Sequence, residues 1–234
     1  MPNRPLPLTG AWNTRDLGGF ATSDGRHVLH GKLFRSDGLD MLAEEDRAIL
    51  SSIPIKTVVD FRSNEEQRRH PDILPESVER YVQFPITPGT IRPSNIYEMS
   101  SSSTDNHLMQ DIYRMLVSGE ASLSQYRLFF RLLQDGNGLP LLFHCSAGKD
   151  RTGLAAALIF SALDVGEEDI MRDYLASGEY LDGKYPSNEG IFSVAPDYLR
   201  AAADVMTQQH GSIPGFMEQV LDVDIARMRA LFLE

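Results

Sequence analysis

Ten residues, His144 to Gly153, constrain this chain more than any others: HCSAGKDRTG. The apolar run Leu139-Pro140-Leu141-Leu142-Phe143 precedes them, and an alanine-rich apolar run starts at Leu154. The first run has the length of a buried strand. The second, from Leu154 to Leu163, reads as a buried helix. The residues between them therefore form a strand-to-helix turn. Three adjacent charges stand in that turn, Lys149, Asp150 and Arg151, and an inert core turn would not carry them. The turn also holds Cys145, the only cysteine of the chain.

The first N–H groups of a helix lack internal partners, and the helix dipole places partial positive charge there. Such an end binds a tetrahedral anion. Ser146, Ala147, Gly148, Lys149, Asp150 and Arg151 are thus the candidate phosphate-binding residues, with phosphate, sulfate or vanadate as expected ligands. The same field favours thiolate over thiol at Cys145, the candidate nucleophile. Arg151 supplies a planar fork that can hold two phosphate oxygens, which a lysine cannot do. Gly148 permits backbone geometry that a side chain would obstruct. Thr152 can donate its hydroxyl to the sulfur, and His144 can orient the loop through its backbone. These features imply an enzyme acting on phosphate monoesters. A leaving alkoxide needs a proton, and Asp150 is the nearest candidate acid. Like charge on a bound dianion gives it a reason to keep its proton. The alternative is an ionised Asp150 paired to Lys149 or Arg151 that only positions the loop. Lys149 either approaches a second anionic group or tunes the loop electrostatically.

The segment resembles the signature of the cysteine-dependent protein tyrosine phosphatase superfamily, and the variant AGKDRTG resembles its atypical bacterial PtpB-like branch. Asn13-Thr14-Arg15-Asp16-Leu17-Gly18-Gly19, Leu33-Phe34-Arg35-Ser36-Asp37 and Val58-Val59-Asp60-Phe61-Arg62-Ser63 are similar to further motifs of that branch. The likeness is weakest between about residues 88 and 120. It implies a phosphotyrosine-phosphatase-like fold and a cysteinyl-phosphate intermediate, with a phosphotyrosine protein or a phosphoinositide as substrate. It also implies a helical lid within residues 88–120, a segment rich in serine and proline turns. The other reading of that segment is a surface loop with no catalytic role. Most superfamily members carry their acid on a loop beside Trp-Pro. The single tryptophan here is Trp12, with no such motif. Relatives exported without an obvious signal leave export open.

Composition fits one α/β domain spanning residues 1–234, long enough for a sizeable core. No apolar run approaches the ~20 residues needed to span a bilayer, and the N-terminus has no apolar signal region. A cytoplasmic location is the expectation. One cysteine allows neither an internal disulfide nor a multi-cysteine metal site, and the chemistry requires no metal or other cofactor. A net charge of −11 argues against nonspecific binding to nucleic acid or anionic membrane.

Interleaved patterns predict a mainly parallel central sheet flanked by helices on both faces. Strands are expected near residues 11–13, 28–34, 56–60, 79–85 and 139–143. Helices are expected near 44–51, 108–117, 122–134, 154–163, 167–177, 196–209, 214–221 and 223–233. Ser63-Asn64-Glu65-Glu66 reads as a capping box opening a further short helix. Ligands of such sheets bind beyond the carboxyl ends of the strands. Asp60 and Arg62 follow the strand at 56–60, so they are candidate supporting residues. Their other reading is an ion pair that merely ties loop to helix. Arg15 and Asp16 read as a buttress of the Gly-Gly turn. Alternatives to a tyrosine phosphatase are a phosphoinositide or dual-specificity phosphatase and a non-catalytic module that binds phosphorylated ligands. Arsenate reduction would need further cysteines. Sulfur transfer would show as a persulfide.

Overall fold

The computed structural model describes residues 4–89, 106–182 and 193–234. Five strands form one sheet: β1 (Arg15–Asp16), β2 (Leu33–Ser36), β3 (Thr57–Asp60), β4 (Arg80–Gln83) and β5 (Leu141–His144), in the order β1-β2-β5-β3-β4. β1 runs antiparallel to β2, and all other pairings are parallel. Parallel strands need crossovers, and helices supply them. Between β2 and β3 lies α1 (Glu44–Ser52), and between β3 and β4 lies α2 (Asn64–Arg69). α3 (Asn106–Ser118) and α4 (Glu120–Asp135) precede β5. After it come α5 (Arg151–Ala162), α6 (Glu167–Leu181), α7 (Pro196–His210), α8 (Ile213–Leu221) and α9 (Ile225–Phe232). Among the described residues, no helix is long and apolar enough to cross a membrane.

Successive strand side chains point to opposite faces, so the apolar strands feed two layers. Phe34, Val58 and Leu142 join Leu50 of α1 on one face. Leu33, Val59, Leu141 and Phe143 join the helical layer on the other. That layer centres on α5, whose residues Leu154 to Phe160 are all buried. Alanines let neighbouring helices approach it closely, and a ring cluster of Phe61, Phe129, Phe130 and Phe143 fills the space towards the sheet.

Two expectations for the N-terminal region need correction. The first strand is Arg15–Asp16 and not residues 11–13. Its two residues pair with Arg35 and Phe34, a partnership set by distant chain rather than by local pattern. The extended run at 28–34 is regular strand only from Leu33. Val28 instead makes an isolated bridge to Leu233 near the C-terminus. Of the expected lid, residues 90–105 lie outside the described residues; 106–118 are helical.

Candidate active site

The turn from β5 into α5 lies at the carboxyl end of the central strand, between β2 and β3. Its carbonyl groups are drawn outwards one after another. His144 Nδ1 lies 3.2 Å from the Cys145 oxygen. Gly38 N–H donates to the Ser146 oxygen at 3.0 Å. Asn13 Nδ2 donates to the Ala147 oxygen at 3.0 Å, and Arg35 donates to the Gly148 oxygen at 2.7 Å. In a trans peptide the C=O and the next N–H point in opposite directions. The N–H groups of Ser146, Ala147, Gly148 and Lys149 are therefore sent towards the inside of the turn. Gly148 is required here on two counts. Its φ is +68°, and a Cβ would lie 2.4 Å from the Ser36 oxygen.

Cys145 is buried at the base of this turn. Arg151 opens α5 and forms a two-pronged ion pair with Glu66 of α2, at 2.9 and 2.8 Å. Glu66 also accepts from Ser146 Oγ at 2.6 Å and from Ser63 N at 2.8 Å, closing the capping box of α2. One carboxylate thus joins a helix cap, the loop and the arginine. Burial opposes its charge, but Arg151 and the hydrogen bonds from Ser146 and Ser63 together outweigh burial and hold it well below the usual carboxylate range. Burial likewise opposes the charge on Arg151, and Glu66 and Cys145 raise its pKa above the ordinary value. Guanidinium has five donors, so the fork to Glu66 does not exhaust them. Thr152, in the first turn of α5, is buried, and its hydroxyl has no hydrogen-bond partner among the described residues.

Asp150 Oδ1 accepts from Tyr113 of α3 at 2.9 Å, and Oδ2 lies 3.4 Å from Lys149 Nζ. Lys149 also donates to the Ser193 oxygen at 3.1 Å and is almost fully buried. Behind the loop, Asp173 of α6 receives both Arg15 and Arg35. Burial opposes its charge, but the two guanidiniums outweigh this and lower its pKa. Burial and the neighbouring Arg35 push Arg15 down to about 10. Two arginines facing one carboxylate leave positive charge behind the loop.

Asp60 and Arg62 do pair, at 2.9 Å, but the pair belongs to a wider cluster. Asp72 meets Arg62 at 2.7 Å and His144 Nε2 at 3.1 Å, and the Tyr81 hydroxyl, with one hydrogen to share, lies 2.8 Å from Asp60 and 3.0 Å from Asp72. The cluster reaches the loop through His144. Asp60, Asp72 and His144 also bring ligand-type atoms within 4.8 Å of one another. The Arg62 guanidinium already satisfies both carboxylates, so a cation there would displace it or face it. Of the pair the sequence suggests as a buttress of the Gly-Gly turn, Asp16 does that, accepting from Gly18 N–H at 2.9 Å, whereas Arg15 turns to Asp173 and to Asn13, whose amide holds the Ala147 oxygen of the loop.

Sequence reasoning brings together Cys145, the loop residues, His144 and Arg151. It misses Glu66, Asp72, Asp173, Asn13, Arg35, Tyr113 and Tyr174 as site residues. One signal was available for a carboxylate partner: a buried arginine must be paired. Which of the chain's 33 acidic residues pairs with it was not readable.

A tyrosine phosphatase family model matches residues 6–234, and the chain belongs to that family. A Cupriavidus necator protein that bears a provisional tyrosine-protein phosphatase name is 30% identical over 94% of this chain and 85% of its own length. The triple specificity protein phosphatase PtpB of Mycobacterium tuberculosis is 27% identical, with both chains covered in full. The solved structure of P. aeruginosa TpbA matches 88% of each chain at 18% identity and a TM-score of 0.39, too distant to bear on the site.

Proposed function

We propose that this tyrosine phosphatase works through a cysteinyl-phosphate at Cys145, cradled by the inward N–H groups of residues 146–149 and gripped by Arg151. The observation that carries this reading is the outward tethering of four consecutive loop carbonyls, which orients an N–H cradle over the sulfur. Preorganised donors of this kind stabilise a transferring phosphoryl group without needing a metal. Cys145 attacks phosphorus as a thiolate, and the S–P bond forms as the ester P–O bond breaks. Asp150 gives its proton to the departing oxygen. Water then attacks phosphorus, Asp150 takes back a proton, and the sulfur leaves as thiolate. The unpartnered Thr152 hydroxyl is suited to donate to that leaving sulfur. His144 and its partners Asp72, Asp60 and Arg62 hold the strand end that carries the nucleophile.

Phosphotyrosine in a protein is the first substrate. A broader range, including phosphoserine and phosphoinositide, is the second reading; the triple specificity for which PtpB, a relative over its full length, is named favours a range wider than tyrosine. The test is turnover of a phosphotyrosine peptide, a phosphoserine peptide and a phosphoinositide by wild type and Cys145→Ser. The reading expects the tyrosine substrate to be fastest and the variant to be inactive on all three. A fully active Cys145→Ser enzyme would refute it. Uniform inactivity of the folded wild type, with phosphate still bound, would favour a phospho-ligand binding module.

A further inference from the structure

A chain of two tyrosines ends on Asp150. Tyr113 of α3 and Tyr174 of α6 have hydroxyls 2.8 Å apart, and Tyr113 lies 2.9 Å from Asp150 Oδ1. Both are buried, with rings packed edge to face at 6.2 Å, and Tyr113 also leans on Tyr198 of α7 at 5.9 Å. Such packing leaves little rotational freedom, so the hydroxyl of Tyr113 is fixed in space.

We propose that Tyr113 is a positioning residue for Asp150: with Tyr174 behind it, it directs the acid's transferable proton to Oδ2. This rests on the mechanism above. A phenol has one hydrogen. An ionised carboxylate can only accept, so Tyr113 spends its hydrogen on Oδ1. The bond between the tyrosines is then donated by Tyr174. When Asp150 takes up a proton, Oδ1 is already occupied and the proton goes to Oδ2. After that proton passes to the leaving oxygen, the Tyr113 donor and Lys149 stabilise the carboxylate left behind. Burial keeps both phenols from ionising, since it raises their pKa values well above 10, so the donor chain persists over the whole working range. The other groups facing Asp150 are Arg151 in the loop and Tyr126 of α4, on both of which its charge acts.

The experiment compares kcat/KM against pH for wild type, Tyr113→Phe, Tyr174→Phe, Asp150→Asn and the Tyr113→Phe/Asp150→Asn double variant. The substrates are p-nitrophenyl phosphate, whose leaving group needs no proton, and an alkyl phosphate, whose leaving group does. Tyr113→Phe is expected to lose about tenfold more on the alkyl phosphate than on p-nitrophenyl phosphate. Without a donor to its anion, Asp150 holds its proton to higher pH. The basic limb on the alkyl phosphate therefore moves up by about one pH unit. Tyr174→Phe moves it less, in the same direction. The double variant loses no more than Asp150→Asn. Equal loss on both substrates, an unmoved limb in a variant that melts like wild type, or additive loss in the double variant would overturn the proposal. If Tyr113→Phe does not fold, an unmoved limb in Tyr174→Phe overturns it. Residual turnover by Cys145→Ser would instead overturn the mechanism beneath it.

Discussion

Glu66 shows how much one side chain can settle at this site. It caps a six-residue helix, binds a loop serine and holds Arg151 by both prongs. Glu66→Gln keeps the shape and removes the charge. Losing a charge-assisted hydrogen bond costs about 1.5–3 kcal/mol, so kcat/KM is expected to fall about ten- to a hundredfold. Steady-state kinetics on p-nitrophenyl phosphate checks this, and unchanged kinetics would show that Arg151 orients without it. His144 makes a prediction in pH. Burial is the largest single influence and lowers its pKa, but the charge and hydrogen bond of Asp72, with Asp60 beside it, together raise the folded value above the ordinary 6.5. The proton is thus bound more tightly in the folded state. The stability this contributes is fully present below about pH 6.5 and is lost as pH rises through the higher folded value. Urea unfolding of wild type and His144→Gln should differ most at acid-side pH and converge above it. A difference that does not vary with pH contradicts the assignment.

At the scale of elements, the loop is held as a unit between β5 and α5. Gly148→Ala tests that hold, because its Cβ would meet Ser36 and its φ is positive. Destabilisation of at least about 2 kcal/mol by urea unfolding is expected, with loss of vanadate binding by titration calorimetry. Elements of this kind were legible in the sequence because their determinants are local: an apolar run, a turn and a second apolar run. The Ser63 capping box was legible for the same reason, and so were the amphipathic helices. The second role of Glu66 was not, since its partner Arg151 is 85 positions away. Arg15 and Asp173 are 158 positions apart. Charge pairs across such distances leave no periodicity, and β1 escaped because two residues paired to a distant strand carry no pattern.

For the whole molecule, the sheet separates two apolar layers of unequal size, and the larger one supports the loop through α5. Phe129 is fully buried, with its ring 5.0 Å from Phe61 and 5.2 Å from Phe143. Phe129→Ala should cost about 3–5 kcal/mol and lower the melting temperature by roughly 6–15 °C, read by calorimetry. The folded fraction should keep its kcat, since the ring touches no proposed catalytic group. A much smaller shift would mean that the layer collapses into the space.

The central claim is a covalent bond between phosphorus and one sulfur. Rapid acid quench of wild type during turnover of a phosphotyrosine peptide, followed by mass spectrometry of the peptide containing Cys145, measures it directly. Phosphate on Cys145 in the first turnover, absent in Cys145→Ser, is the expected result. Full turnover with no phosphate on that residue at any quench time would contradict the account.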